Sequence, residues 1–167
     1  RIGERVVVRT MMQNPKNNTP FSCWTMGSEC NGAFAQFTAV PSSEAFKIEC
    51  DWSDIELASI PCAYSTAENM LQRIGLSAER VLINGASGGV GSAAIQLAKC
   101  RGAEIISISR IEKADSLISL GSTKVIDREQ NLVGTIGSES IDVVIDLVGG
   151  IKWPDLLSIL RHGGRYI

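Results

Sequence analysis

An excess of charge of either sign is missing from this 167-residue chain. Its 16 Lys and Arg stand against 18 Asp and Glu, a net charge of −2 with its one histidine neutral. Scattered cations on a near-neutral chain leave no electrostatic footprint for a phosphate backbone. Aromatics are also scarce, at three Trp, two Tyr and four Phe, which leaves little surface for stacking bases. Together these absences predict no nucleic-acid partner. No stretch approaches the roughly 20 uncharged apolar residues of a membrane helix, so no membrane partner is expected either. Cysteine pairs are missing too. Cys23, Cys30, Cys50, Cys62 and Cys100 are odd in number, irregularly spaced and without a CxxC. That argues against a disulfide framework and a self-contained zinc ribbon, and for a reducing, cytoplasmic setting. Residues 1–20 lack the apolar core of a secretory leader.

What is present is a globular balance, with 44% hydrophobic and 20% charged residues. The chain opens on RIGERVVVR and closes on HGGRYI, mid-element at both ends, which predicts a piece of a longer protein. RVVVR (5–9) and GAFAQFTAV (32–40) have strand composition, separated by a polar loop, QNPKNNTP (13–20). Ser53–Glu56 and Ser65–Glu68 each fit a capping box, in which a serine caps the helix and a glutamate three residues on reaches back. They predict two helices, near 54–59 and 66–74, the second stopped by Gly75. From Arg80 the chain alternates. Apolar strands are expected at 80–84, 104–109, 124–127, 141–148 and from 165. Helices are expected to Cys100, over 112–120 and from Pro154 to about Leu160, with a helix or loop over 128–138. Uninterrupted apolar strands alternating with helices predict an α/β fold whose parallel sheet is covered on both faces.

Residues 81–95 read VLINGASGGVGSAAI. A strand, a glycine loop and a helix in this order form the context of a dinucleotide-binding turn. A strict GxGxxG places its first glycine at position 86, where Ala86 stands; Gly88 and Gly91 fill the second and third places. Gly88 would let the backbone approach a pyrophosphate, and the N–H groups of Ser87, Gly88, Gly89 and Val90 would face the phosphates at a helix N-terminus. Gly85, Gly89 and Gly91 also fit GxxxGxG, the short-chain dehydrogenase spacing. That pattern needs a downstream YxxxK, and Tyr166 has only Ile167 beyond it. About 20 residues past the motif, an acidic residue would bond a ribose 2′-hydroxyl. Ser109 and Arg110 stand there, with Lys113 a turn later. A small hydroxyl beside a guanidinium suits a 2′-phosphate, which favours NADP(H) over NAD. Lys113 fits either that contact or a solvated charge.

The chain resembles the medium-chain dehydrogenase/reductase superfamily, in its zinc-type alcohol dehydrogenase and quinone oxidoreductase branch. GERVVV (3–8), SECNGAFAQFTAVP (28–41), IPCAYSTAENML (60–71) and INGASGGVGSAAIQLAK (83–99) carry the likeness, supported by DLVGG (146–150) and RHGGRYI (161–167). The resemblance implies that residues 1–62 are the later, β-rich part of a GroES-like catalytic domain. Residues 63–167 would be a Rossmann-type dinucleotide-binding domain that stops before its last strand. The strand order would be 3-2-1-4-5.

The resemblance also implies site residues. Cys62 matches a zinc-ligand position of the family without its partners, and its other reading is a small half-buried thiol, so no zinc is expected. Thr66 would touch the nicotinamide carboxamide or serve as a hydroxyl at a helix N-terminus. Val148 and Gly149 would border the nicotinamide ribose. The implied activity is hydride transfer between NADP(H) and an alcohol, aldehyde, quinone or enoyl substrate, with no catalytic side chain assigned. The alternative is a dinucleotide-binding module without activity of its own. Phe34 and Phe37, on an unpaired strand surface, predict a homo-oligomer.

Overall fold

Strands with apolar residues on both faces need cover on both, and the principal sheet of this protein is arranged to give it. A computed structural model describes residues 2–14, 16, 17, 19 and 22–167. It divides by compactness into two units, Arg1–Cys62 and Ala63–Ile167.

Among its described residues the first unit holds two separate two-stranded antiparallel sheets. In one, β1 (Val6–Val8) pairs with β4 (Ala45–Lys47); in the other, β2 (Met11–Gln13) pairs with β3 (Cys23–Thr25). Glu44, 4% exposed, receives Arg9 Nε at 2.6 Å and Nη2 at 3.0 Å, a two-point pairing beside β4. The expected strand over 32–40 is absent. No strand pairing involves these residues, and Phe34 and Phe37 are 112% and 91% exposed. β-propensity without a partner strand or a core face to fill leaves the segment irregular. Of the polar stretch 13–20, positions 15, 18 and 20 lie outside the described residues, as do positions 1 and 21.

One long helix, α1 (Asp54–Ile74), replaces the two that the serines predict. The first capping box forms: Ser53 Oγ accepts Glu56 N at 3.3 Å, and Glu56 Oε2 accepts Ser53 N at 2.7 Å. The second does not. Glu68 turns instead to Gln72 Nε2 at 3.0 Å and Arg101 Nη2 at 2.6 Å, and the helix runs on through Pro61 and Ser65. Gly75, at φ +62°, ends it.

The second unit is a five-stranded parallel sheet. β5 (Arg80–Asn84) lies between β6 (Glu104–Ser109) and β8 (Ile141–Asp146); β7 (Lys124–Asp127) flanks β6, and β9 (Leu160–Tyr166) flanks β8. Numbered along this unit, the order is the expected 3-2-1-4-5. Successive β5 residues feed opposite faces. Val81 and Ile83 join Leu71, Ala94, Ile95 and Leu117 on one side; Leu82 joins Leu132, Leu156 and Ile159 on the other. The covering helices there include α2 (Gly89–Cys100), α3 (Ala114–Leu120), α4 (Leu132–Ile136) and α5 (Trp153–Ile159). α2 packs through Gly91, Ala93, Ala94, Ile95 and Ala98, with Leu97 half-buried, so small residues set its approach to the sheet. β9 begins earlier than expected, directly after α5, and reaches its register with β8 through an irregularity between Ile141 and Val143.

Candidate functional site

Parallel strands all point their carboxyl ends the same way, and ligands of such sheets sit in the crevice there. In this protein a cleft of about 530 Å³ occupies that place. Its lining includes Gly85 and Ser87 after β5, Ser109, Arg110 and Lys113 after β6, Arg128 after β7, and Val148, Gly149 and Lys152 after β8. Five of the residues expected from sequence therefore meet with Ser87 around one space.

The glycine loop has a division of labour that the residue types explain. Gly85 turns at φ +78°, and a Cβ on it would lie 2.9 Å from Val148 Cγ2. The tight-turn glycine thus sits at 85, one residue before the place where the strict motif puts it, while Ala86 is buried and its N–H reaches Ile108 O at 3.3 Å. A Cβ on Gly91 would lie 2.5 Å from Gly85 O and 2.7 Å from Ala86 Cα. Backbone packs on backbone there, as the third glycine of such a turn requires. Gly88 differs: its Cβ would meet only Gly85 O, at an ordinary 3.5 Å. The protein's own packing leaves room for a side chain at 88.

One expectation for this loop needs correcting. Gly88 N–H is not directed at a ligand but closes the turn on Gly85 O at 3.1 Å. The N–H groups left without a helical acceptor are those of Gly89, Val90 and Gly91, since the first in-helix bond runs from Ser92 N to Gly88 O at 2.9 Å. Gly88 is exposed, and Ser87 beside it lines the cleft.

The far side of the cleft is cationic. Ser109 ends β6 at 7% exposure, and its Oγ is buried with no hydrogen-bond partner among the described residues. A buried hydroxyl left unsatisfied is costly. Arg110, Lys113, Arg128 and Lys152 share the cleft with it. Asp127 steadies this side, its Oδ2 accepting Ile111 N at 3.0 Å and its Oδ1 accepting Glu129 N at 2.9 Å. The Glu129 N–H foremost, then the Ile111 N–H and the nearby Arg128 and Lys152 charges, hold its carboxyl below the ordinary range against partial desolvation. Arg128 and Lys152 were not singled out from sequence. They come from loops after different strands, and the available signal was a cation soon after each strand's carboxyl end.

Asp146 is hydrogen-bonded to three residues of the cleft lining, Asn84, Val148 and Gly149. Its Oδ1 accepts Asn84 Nδ2 at 2.8 Å and the N–H groups of Val148 and Gly149 at 3.0 Å each; its Oδ2 accepts Tyr166 OH at 2.5 Å. Burial pushes the Asp146 carboxyl up, but these four donors outweigh it and leave the carboxyl below the usual range. Burial and the Asp146 charge push the Tyr166 phenol up to about 12.

An expected position of this unit lies outside the cleft lining. Thr66 is exposed within α1 and is not among the lining residues; because α1 is continuous, it is a mid-helix hydroxyl rather than an N-terminal one. Cys62 is exposed, not half-buried. Among the described residues no group of three or more His, Cys, Asp or Glu is placed to hold a metal ion, so the donor set for a catalytic zinc is not assembled by them. No helix among them is long and apolar enough to cross a membrane.

The chain is similar to known proteins in sequence and fold. Residues 89–167 match the family model described as zinc-binding dehydrogenase. A provisionally named alcohol dehydrogenase of Sinorhizobium meliloti 1021 is 44% identical and superposes with a TM-score of 0.91, over 99% of this chain and 48% of its own. The acryloyl-coenzyme A reductase of Metallosphaera sedula is 33% identical over 83% of this chain and 42% of its own length. The quinone oxidoreductase of Thermus thermophilus, solved alone and with NADPH, is 29% identical with a TM-score of 0.69, over 77% of this chain and 44% of its own. The chain spans less than half the length of each.

Proposed function

The chain belongs to the medium-chain dehydrogenase/reductase superfamily, and we propose that its Ala63–Ile167 unit holds NADP(H) for an oxidoreductase. One observation carries the cofactor assignment: the buried, partnerless Ser109 hydroxyl beside Arg110, Lys113, Arg128 and Lys152 at one end of the cleft. A 2′-phosphate offers acceptor oxygens to that hydroxyl and nearly two negative charges to those cations. The Ser87–Val90 segment would take the pyrophosphate. Gly88 supports this, because the protein's own packing does not require a glycine there. Val148 and Gly149 would then border the nicotinamide half. When bound, the nicotinamide donates or accepts a hydride, and the protein orients it.

The substrate belongs to the class of alcohols, aldehydes, quinones or enoyl compounds, as the names of the similar proteins suggest. Residues 1–62 are read as part of the catalytic domain, and Phe34 and Phe37 as surface for self-association. Lys113 counts in this reading as a phosphate contact, and Thr66 has no part in it. A module that binds the dinucleotide without turning it over is the second reading.

The test is titration of the chain with NADPH and NADH, followed by calorimetry. A charge-assisted contact contributes about 1.5–3 kcal/mol, so NADPH should bind about tenfold or more tighter. Arg110→Ala should erase most of that preference and leave NADH affinity nearly unchanged. Equal affinity of the unsubstituted chain for both cofactors would overturn the assignment.

A further inference from the structure

The backbone pairing of β8 does not involve the Asp146 side chain. β8 is already tied to β5 and β9 through its backbone, including Asp146 N to Ile167 O at 2.8 Å and Leu147 N to Asn84 O at 3.2 Å. What the carboxylate adds is control of the segment that follows. Gly149 and Gly150 sit at φ +67° and +84°. Two consecutive glycines have wide conformational freedom and lose more of it on ordering than other residues. Their entry is fixed at one point, where Asp146 Oδ1 takes the N–H groups of Val148 and Gly149. The same oxygen takes Asn84 Nδ2, from the residue before the Gly85 turn, and Oδ2 takes the Tyr166 hydroxyl from the end of β9. Val148 in turn covers Gly85, where a Cβ would stand 2.9 Å from Val148 Cγ2.

We propose that Asp146 is a positioning residue for the nicotinamide half of the dinucleotide: one carboxylate joins the ends of three strands and holds the Gly85 and Val148–Gly149 turns as a fixed wall. This inference rests on the dinucleotide reading of the cleft. It adds a separation within the site. Ser109 and Arg110 follow β6, two strands from β8, so about 10 Å of sheet divides the phosphate end from the Asp146 end. Loosening the wall should therefore weaken contacts to the nicotinamide half and spare those that Ser109, Arg110 and Lys113, all at or after the end of β6, make to the phosphorylated adenosine half.

Two probes read this directly. NADPH reports the whole cleft, whereas adenosine 2′,5′-bisphosphate lacks the nicotinamide half. Asp146→Asn keeps the shape but cannot accept from all four donors. It should weaken NADPH about tenfold, the scale of one charge-assisted hydrogen bond, and leave the bisphosphate within about twofold. Tyr166→Phe removes one donor and keeps three; it should give a smaller loss with the same selectivity, and it carries the test if Asp146→Asn does not fold. Equal weakening of both probes would mean a general structural role and would overturn the proposal. So would unchanged NADPH affinity in Tyr166→Phe and in any folded Asp146→Asn protein. Failure of the unsubstituted chain to bind either probe would instead sink the dinucleotide reading, and this inference with it.

Discussion

A glycine is demanded by its neighbours only where a Cβ has nowhere to go, and Gly88 and Gly91 fall on opposite sides of that line. Gly91 would press a Cβ to 2.5 Å from Gly85 O, whereas Gly88 has 3.5 Å and an unstrained φ of −79°. Gly91→Ala should therefore overpack the turn and cost about 1–3 kcal/mol, lowering Tm by several degrees. Gly88→Ala should melt like the unsubstituted chain and yet bind NADPH and NADH more weakly by a similar factor, because both share the pyrophosphate. Thermal scans and paired titrations separate the two effects. Unimpaired binding by Gly88→Ala would remove that residue from the site. The motif itself was legible, because strand, glycine loop and helix are contiguous in sequence. The first-glycine role was not: it depends on a positive φ at Gly85 and on Val148 lying over it, and Val148 is 63 residues away in the numbering. Arg128 and Lys152 escaped for the same reason, since only the strand order brings their loops beside Ser109.

At the scale of elements, legibility followed burial. Glu104–Ser109 and Lys124–Asp127 form over the predicted spans, because Ile105, Ile106, Ile108 and Ile126 are buried in the covered sheet. The 32–40 segment has similar residues but no partner, and composition cannot supply one. The Ser65–Glu68 box failed because a local cap competes with helix continuation, and Glu68 found Arg101, 33 residues on, instead. Where a cap faces no such competitor it forms: Asn131 Oδ1 accepts Gly134 N at 2.7 Å and starts α4, in the stretch left open between helix and loop. Asn131→Ala should remove that cap and cost about 1 kcal/mol. Denaturant titration should show a lower midpoint at an unchanged slope, since the surface exposed on unfolding stays the same. A midpoint equal to that of the unsubstituted chain would mean that α4 is held by Leu132 packing alone.

For the whole molecule, the carboxylates that hold distant segments together set its response to pH. In the second unit, Arg165 Nη1 donates to Ile74 O at 2.8 Å and its Nη2 pairs with Glu79, so β9 clasps the end of α1 and the loop before β5. The Arg165 hydrogen bond, ahead of the cost of burial, holds Glu79 below its usual 4.5. Glu68 and Asp146 are lowered as well, and in the first unit Arg9 does the same for Glu44. A carboxyl with a lowered folded-state value contributes stability that is present above its unfolded value and lost as pH falls through the folded one. Tyr166 acts in the opposite sense. Raised from 10.0 to about 12, it contributes stability present below pH 10 and lost as pH rises toward 12. Tm should therefore be nearly flat between about pH 5 and 9, fall below about 4.5 and fall again above about 10. Glu79→Gln keeps the shape of the clasp without its charge. It should lower Tm at pH 7 and make the acid limb shallower, so that the two proteins converge as pH falls through the lowered folded-state value of Glu79. Calorimetric scans across that range decide it: parallel acid limbs in the two proteins would mean that the Glu79–Arg165 clasp carries none of the acid sensitivity.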